Sequence, residues 1–212
     1  CFLERSPGLS GRLFALYQWL AQATLPWLSA IITTSPVLAA ELARCGCKTE
    51  RIHVLPCCLS AEQEKVALAL PERQPAGNAA MAVLFIGRLD SYKRVDWLLE
   101  ALAQLPQPWR LDVVGDGPKR AALEAQAQAL VGSGAPVCFH GRLDEAAKLQ
   151  CLARADLLVL PSDRCNEAFG IVQLEAMAAG MASLAFQRQR SGMGWVGPVS
   201  YTHLTLPTRY RV

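Results

Sequence analysis

Two short stretches of the chain hold residue types suited to a phosphorylated, hydroxyl-rich ligand. In Gly87-Arg88-Leu89-Asp90-Ser91-Tyr92-Lys93-Arg94 a guanidinium and an ammonium stand a few residues apart. The planar fork of Arg88 and the point charge of Lys93 can clamp a diphosphate. A solvated basic loop would read the same way, and the local pattern leaves both readings open. The second stretch is Pro161-Ser162-Asp163-Arg164-Cys165-Asn166-Glu167-Ala168-Phe169-Gly170, followed by an apolar helical pattern that contains Glu175. A loop carboxylate such as Glu167 can accept hydrogen bonds from sugar hydroxyls. Gly170 permits close approach to the backbone, and free amides at a helix start attract anions. Glu175 sits between Leu174 and Ala176-Met177. A glutamate there is either an exposed helix residue or one with a task, and its apolar neighbours favour the second.

Other constellations carry less. Val114-Gly115-Asp116-Gly117-Pro118 reads more as turn punctuation than as a ligand loop, and His140-Gly141-Arg142 is similar. His53, His140 and His203 stand far apart, and no serine or cysteine occupies a nucleophile elbow, so a hydrolase triad has no support. Cys45, Cys47, Cys57 and Cys58 cluster without a zinc spacing and read as small apolar residues. The remaining cysteines are scattered, as in a reduced cytosolic protein. A third glycine is missing from Gly115-Asp116-Gly117, where Arg120 takes its place, and a nicotinamide-binding fingerprint is thereby excluded. The net charge of +3 comes without basic runs or interleaved aromatics, which argues against nucleic acid as a partner.

These residues need a scaffold, and the hydrophobic pattern supplies one. Apolar strands are expected at 30–33, 52–55, 82–86, 111–114, 137–139, 157–160 and 182–186, with helical patterns between most of them. Ser35 caps a helix opened by Pro36 and ended by Gly46; Asp144 caps another. The apolar stretch 13–32 is broken at Pro26 and reads as a helix, a short helix and a strand rather than a membrane span. Strands without a polar face are covered on both sides, and single-helix connections make them parallel. The expected fold is a doubly wound α/β domain whose ligand lies beyond the carboxyl ends of the strands, where both stretches fall.

Taken together, Ser35-Pro36, Arg51 to Pro56, Gly87-Arg88 with Lys93, Val114 to Pro118 and the run from Glu167 to Gly180 resemble the retaining GT-B glycosyltransferases of family 4. The resemblance spans roughly residues 25 to 196, and its Glu-x7-Glu element, Glu167 to Glu175, is highly specific. It implies that Arg88 and Lys93 hold the donor diphosphate and that Glu167, the catalytic candidate, meets the donor sugar. It also implies that the amides of Phe169, Gly170 and Ile171 lie against sugar and phosphate, that Glu175 binds the ribose, and that Gly141 and Arg142 sit near the base. The implied donor is a UDP- or GDP-sugar and the acceptor a glycan or lipid-linked glycan. No cofactor and no tightly bound metal are implied, in keeping with the lack of an Asp-x-Asp motif. The expected location is the cytoplasm, with peripheral contact at the inner face of the plasma membrane. Two positions depart from the family: Arg94 stands where glycine is usual, and Cys57-Cys58 replaces Asn-Gly.

The resemblance divides the chain into the end of an acceptor domain (1–59), a linker without clear period (60–80), an incomplete donor domain (81–196) and a tail (197–212). Ser200 to Thr208 is similar to a translated sequencing adapter, and the tail is expected to be foreign to the fold. A donor-binding piece without catalysis is the alternative to a complete transferase.

Overall fold

The computed structural model describes residues 9–70, 80–132, 136–164, 167–186 and 190–199. The part before the linker begins with α1 (Leu9–Thr24), a 3-10 turn (Leu25–Trp27) at Pro26, and β1 (Ile31–Thr33). It continues through α2 (Pro36–Arg44) to β2 (Ile52–Val54), which pairs in parallel with β1. Ser35 accepts from the Leu38 amide and Gly46 takes a left-handed turn after α2, as their residue types require. No helix among the described residues is long and apolar enough to cross a membrane.

The segment read as a linker contains α3 (Ala61–Leu68). A local device starts it: Gln63 N donates to Ser60 Oγ at 3.2 Å, while Ser60 N donates to Gln63 Oε1 at 3.0 Å. The capping pair was visible in the sequence, but the weak apolar period hid the helix behind it. Residues 71–79 of the expected linker and 200–212 of the expected tail lie outside the described residues.

The larger part is a five-stranded parallel sheet. Its strands are β3 (Met81–Ile86), β4 (Trp109–Val114), β5 (Val137–Gly141), β6 (Leu157–Leu160) and β7 (Ala182–Ala185), in the order β5-β4-β3-β6-β7. The connecting helices are α4 (Val95–Ala103), α5 (Arg120–Val131), α6 (Glu145–Arg154) and α7 (Val172–Ala178), and α8 (Met193–Val199) follows β7. The alternation of β3 shows why both faces are covered. Val83 and Phe85 pack with Leu98, Leu99 and Leu102 of α4 and Leu123 of α5. Leu84 and Ile86 pack with Leu152 of α6, Ala176 of α7 and Met193 of α8. Each such side chain contributes about 1.5–3 kcal/mol on full burial, so β3 anchors the domain from its centre. Pro118 precedes α5 by a turn instead of opening it, since Arg120 N bonds back to Gly117 O at 3.1 Å.

Strand order reverses between β3 and β6, and this is the topological switch of the sheet. The loops after these two strands lie side by side, with Asp163 N donating to Tyr92 O at 3.0 Å. The smaller part reaches the same edge. Thr34 Oγ1 donates to Ala168 O at 3.4 Å, and the Arg190 guanidinium bonds Glu41 of α2.

Glu41 gives that contact a pH dependence. Burial opposes its charge, but hydrogen bonds and proximity to Arg190 and Arg44 outweigh burial and lower its pKa. A carboxyl that titrates lower when folded contributes stability above its unfolded pKa and loses it as pH falls through the folded one. Glu41→Gln should therefore lower the melting temperature at neutral pH, and the gap to the parent chain should begin to shrink below about pH 4.3, the ordinary glutamate value, and vanish only once pH has fallen through the lowered folded value. Melting curves followed by circular dichroism at both pH values test this; a gap of constant size would mean that the contact is not ionic in origin.

Candidate functional site

The loop after β3 is built by close backbone contact. Gly87 N donates to Val114 O and Leu89 N to Asp116 O, each at 3.0 Å, so the β4 loop braces it from one side. Gly115 has φ +131°, and a Cβ there would fall 2.0 Å from Gly87 O. The Gly115-Asp116-Gly117 turn is thus the wall behind the basic loop, in line with its reading as punctuation.

Loop residues 91–93 form a 3-10 turn that ends at Arg94 in the left-handed region, φ +47° and ψ +41°. That conformation explains why glycine would suit the position, since other residues lose about 1–2 kcal/mol there. Arg94 recovers the loss by bonding. Its guanidinium reaches both Asp96 oxygens and Asp163 Oδ2 at 2.7–3.1 Å, and it stacks 3.4 Å from the Trp97 ring centroid. Hydrogen bonds to Asp96 foremost, against the opposing effect of burial, raise its pKa.

The turn aims Lys93 inward and Arg88 outward. Lys93 Nζ bonds Glu167 Oε2, with side chains 9% and 18% exposed. The Ser162 hydroxyl stands 3.5 Å from the same carboxylate oxygen. Arg88 is 66% exposed and pairs with Asp90 Oδ2 at 2.9 Å. The two expected clamp residues therefore share a loop without sharing a point in space.

The Glu167 loop is also fixed by its backbone. Ser191 Oγ donates to Glu167 O at 2.8 Å. Gly192 lies so close beneath it that a Cβ would fall 1.8 Å from Ala168 O and 2.9 Å from Ser35 Oγ. Phe169 is buried with its ring 6.0 Å from that of Trp195, Gly170 turns at φ +77°, and Ile171 stands exposed at the start of α7. Of these three expected donor contacts, Phe169 offers its backbone only, because its side chain is spent in the core.

Glu175 is on α7 with its side chain 11% exposed. Lys148 of α6 donates to its Oε1 at 2.9 Å, whereas its Oε2 is buried without a hydrogen-bond partner. Burial would lower the Lys148 pKa, but hydrogen bonds to Glu145 and Glu175 and their charges raise it overall. Sequence reasoning missed Lys148. The available signal was a lysine one turn before the buried Leu152, on the inward stripe of α6. Gly141 and Arg142 lie at the end of β5, two strands from the switch. Gly141 O accepts from Gly115 N at 2.7 Å, and Arg142 is exposed.

The Lys93–Glu167 pair is the electrostatic centre of this arrangement. A buried lysine and a part-buried glutamate offset each other's desolvation, and removal of one leaves the other uncompensated, at a cost approaching the roughly 3–5 kcal/mol of a fully buried pair. Lys93→Met should therefore lower stability strongly. Lys93→Met combined with Glu167→Gln should recover most of the loss, because neither residue then buries a charge. Urea unfolding of the single and double variants gives the coupling; additive losses would deny the pair its central place.

Comparison with known proteins agrees with this architecture. The family model described as "Glycosyl transferases group 1" matches residues 71–192. The chain is 29% identical over 168 residues to a D-inositol 3-phosphate glycosyltransferase of Xylanimonas cellulosilytica, covering 74% of this chain and 40% of the relative. It is 32% identical over 182 residues to a glycogen synthase of Mycobacterium tuberculosis, covering 82% and 40%. Among solved structures, WaaG, a glycosyltransferase involved in lipopolysaccharide biosynthesis, superposes with a TM-score of 0.66 at 25% identity, covering 90% of this chain and 54% of that one. The chain thus spans about 40% of the length of the curated relatives it matches. With its five-stranded parallel sheet in the form of one half of a GT-B fold, it belongs to the glycosyl transferases group 1 family.

Proposed function

We propose that the protein transfers a sugar from a UDP- or GDP-sugar to a glycan or lipid-linked acceptor, with retained anomeric configuration. Its setting would be the synthesis of bacterial cell-surface polysaccharide or glycolipid, in the cytoplasm or at the inner face of the plasma membrane. The observation that carries this reading is the meeting of Lys93 and Glu167 at the switch of a group 1 donor-type sheet.

In this reading Lys93 and Arg88 neutralise the diphosphate, and the Phe169, Gly170 and Ile171 amides add dipoles where leaving-group charge grows. Preorganised charges of this kind stabilise a departing diphosphate in place of a metal ion. Glu167 accepts from hydroxyls of the donor sugar and holds the ring while its bond to the diphosphate breaks. The unpartnered Glu175 Oε2 takes a ribose hydroxyl, which would satisfy an otherwise orphaned buried acceptor. Gly141 and Arg142 border the base. Because the match covers only 40% of each of these relatives, the acceptor side is assigned to the remainder of a longer protein. The present chain by itself is expected to bind the donor without transferring it.

Calorimetric titration with UDP, GDP and the matching diphosphate-sugars tests the assignment. Glu175→Gln should weaken diphosphate and diphosphate-sugar alike, by roughly tenfold, the worth of one hydrogen bond to a charged group. Glu167→Gln should weaken the diphosphate-sugar alone. Equal weakening of both ligands by Glu167→Gln would remove its sugar-binding role, and failure of the parent chain to bind any of the four would sink the reading.

A further inference from the structure

On the face of the sheet opposite α4 and α5, away from the switch, three residues that the sequence reading treated as unrelated converge. Asp112 of β4 is the register partner of Cys138 of β5, and His140 lies two residues further along β5. The pairing slips immediately beyond: Val113 faces Phe139, but Val114 faces Gly141. His140 is therefore the extra residue of a bulge, a device that re-aims a side chain. His140 Nε2 lies 2.6 Å from Asp112 Oδ1, and Nδ1 lies 3.8 Å from Cys138 Sγ. Potential ligand atoms of all three residues lie within 4.8 Å of one another.

We infer that Cys138 Sγ and His140 Nδ1 form a binding site for a borderline or soft divalent cation such as zinc, with Asp112 orienting the imidazole. The division of roles follows from the two ring nitrogens. His140 Nε2–H donates its hydrogen bond to Asp112 Oδ1, and in that tautomer the Nδ1 lone pair faces the thiol. A carboxylate on the far nitrogen is the usual support for a metal-bound histidine. The spacing also fits. Bonds of about 2.3 Å to sulfur and 2.0–2.1 Å to nitrogen at a tetrahedral angle put the two ligand atoms about 3.6 Å apart. The observed separation is 3.8 Å. Thiolate with imidazole selects zinc-like ions over magnesium or calcium, which prefer oxygen ligands. On binding, the thiol proton passes to solvent, the sulfur–metal bond replaces the sulfur–hydrogen bond, and water fills the remaining positions. Cys138 is exposed, so an ion can reach it from solvent. The inference stands apart from the donor site and does not depend on it.

The test is competition between the full chain and a chromophoric chelator for zinc, with melting curves to confirm folding. One equivalent should bind. Cys138→Ser and His140→Ala should each weaken binding tenfold or more, and Asp112→Asn by about tenfold, the usual effect of losing an orienting partner. Cys47→Ser, which alters the other cysteine cluster, should change it less than twofold. Cobalt should give a thiolate charge-transfer band that Cys138→Ser abolishes. The inference is overturned if the parent chain takes up no zinc at tens of micromolar. It is equally overturned if Cys138→Ser and His140→Ala bind as tightly as the parent, or if Cys47→Ser alone removes the site.

Discussion

An ammonium and a carboxylate removed from water must meet, and that requirement governs the region around the sheet switch. Lys93 belongs to the loop after β3 and Glu167 to the loop after β6, 74 residues apart in sequence. Lys93 in particular is costly alone at its observed burial, since an unpaired buried charge costs several kcal/mol. The two loops therefore have to be held in register. The parallel sheet does the coarse part by setting β3 beside β6. Backbone contacts do the fine part: the β4 turn behind Gly87, the Asp163–Tyr92 hydrogen bond, and the Ser191 hydroxyl on Glu167 O. The glycines at 115 and 192 follow from the same requirement, because each stands where a side chain would push a loop out of reach of its partner.

Arg94 shows how the constraint is met with an unfavourable residue. The chain must reverse sharply after the turn that buries Lys93, and the left-handed conformation at 94 accomplishes this. Glycine would adopt it without strain but would contribute nothing else. Arginine adopts it at a cost and in return joins the start of α4 to the Asp163 loop, bringing the two sides of the switch together a second time. The less exposed bond to Asp163, at about 1.5–3 kcal/mol, is by itself enough to offset a strain of about 1–2 kcal/mol. The departure from the family at this position is thus an alternative bracing of the same loops.

Much of this was legible in the sequence, for physical reasons. The continuous apolar runs at 82–86 and 157–160 meant strands covered on both faces, and the spacing of Val95, Leu98, Leu99 and Leu102 meant a helix laid across them. The basic loop and the Glu167 loop follow β3 and β6, as the apolar runs that precede them require. What stayed hidden depended on tertiary contact. Arg88 and Lys93 look equivalent in sequence, yet only Lys93 turns inward. The helix at 61–68 has too weak an apolar stripe to announce itself, although Ser60 and Gln63 cap it. Cys138 and His140 share a strand face, but Asp112 joins them only through strand pairing and the slip at His140.

Glu175 carries the argument from packing to ligand. A carboxylate has two oxygens, and a residue kept only for structure would be expected to have both satisfied or in water. Lys148 satisfies one, and Lys148 itself divides its donors between Glu175 and Glu145. The other oxygen is sealed from solvent and unpaired. Folding alone gives no return for that arrangement, because the orphaned acceptor costs roughly 1–3 kcal/mol. Lys148 fixes the orientation of the carboxylate through Oε1 and leaves Oε2 a buried acceptor without a partner. The same economy holds at Lys93 and Glu167: each is positioned by the other, and the fold bears the cost of their burial before any ligand arrives.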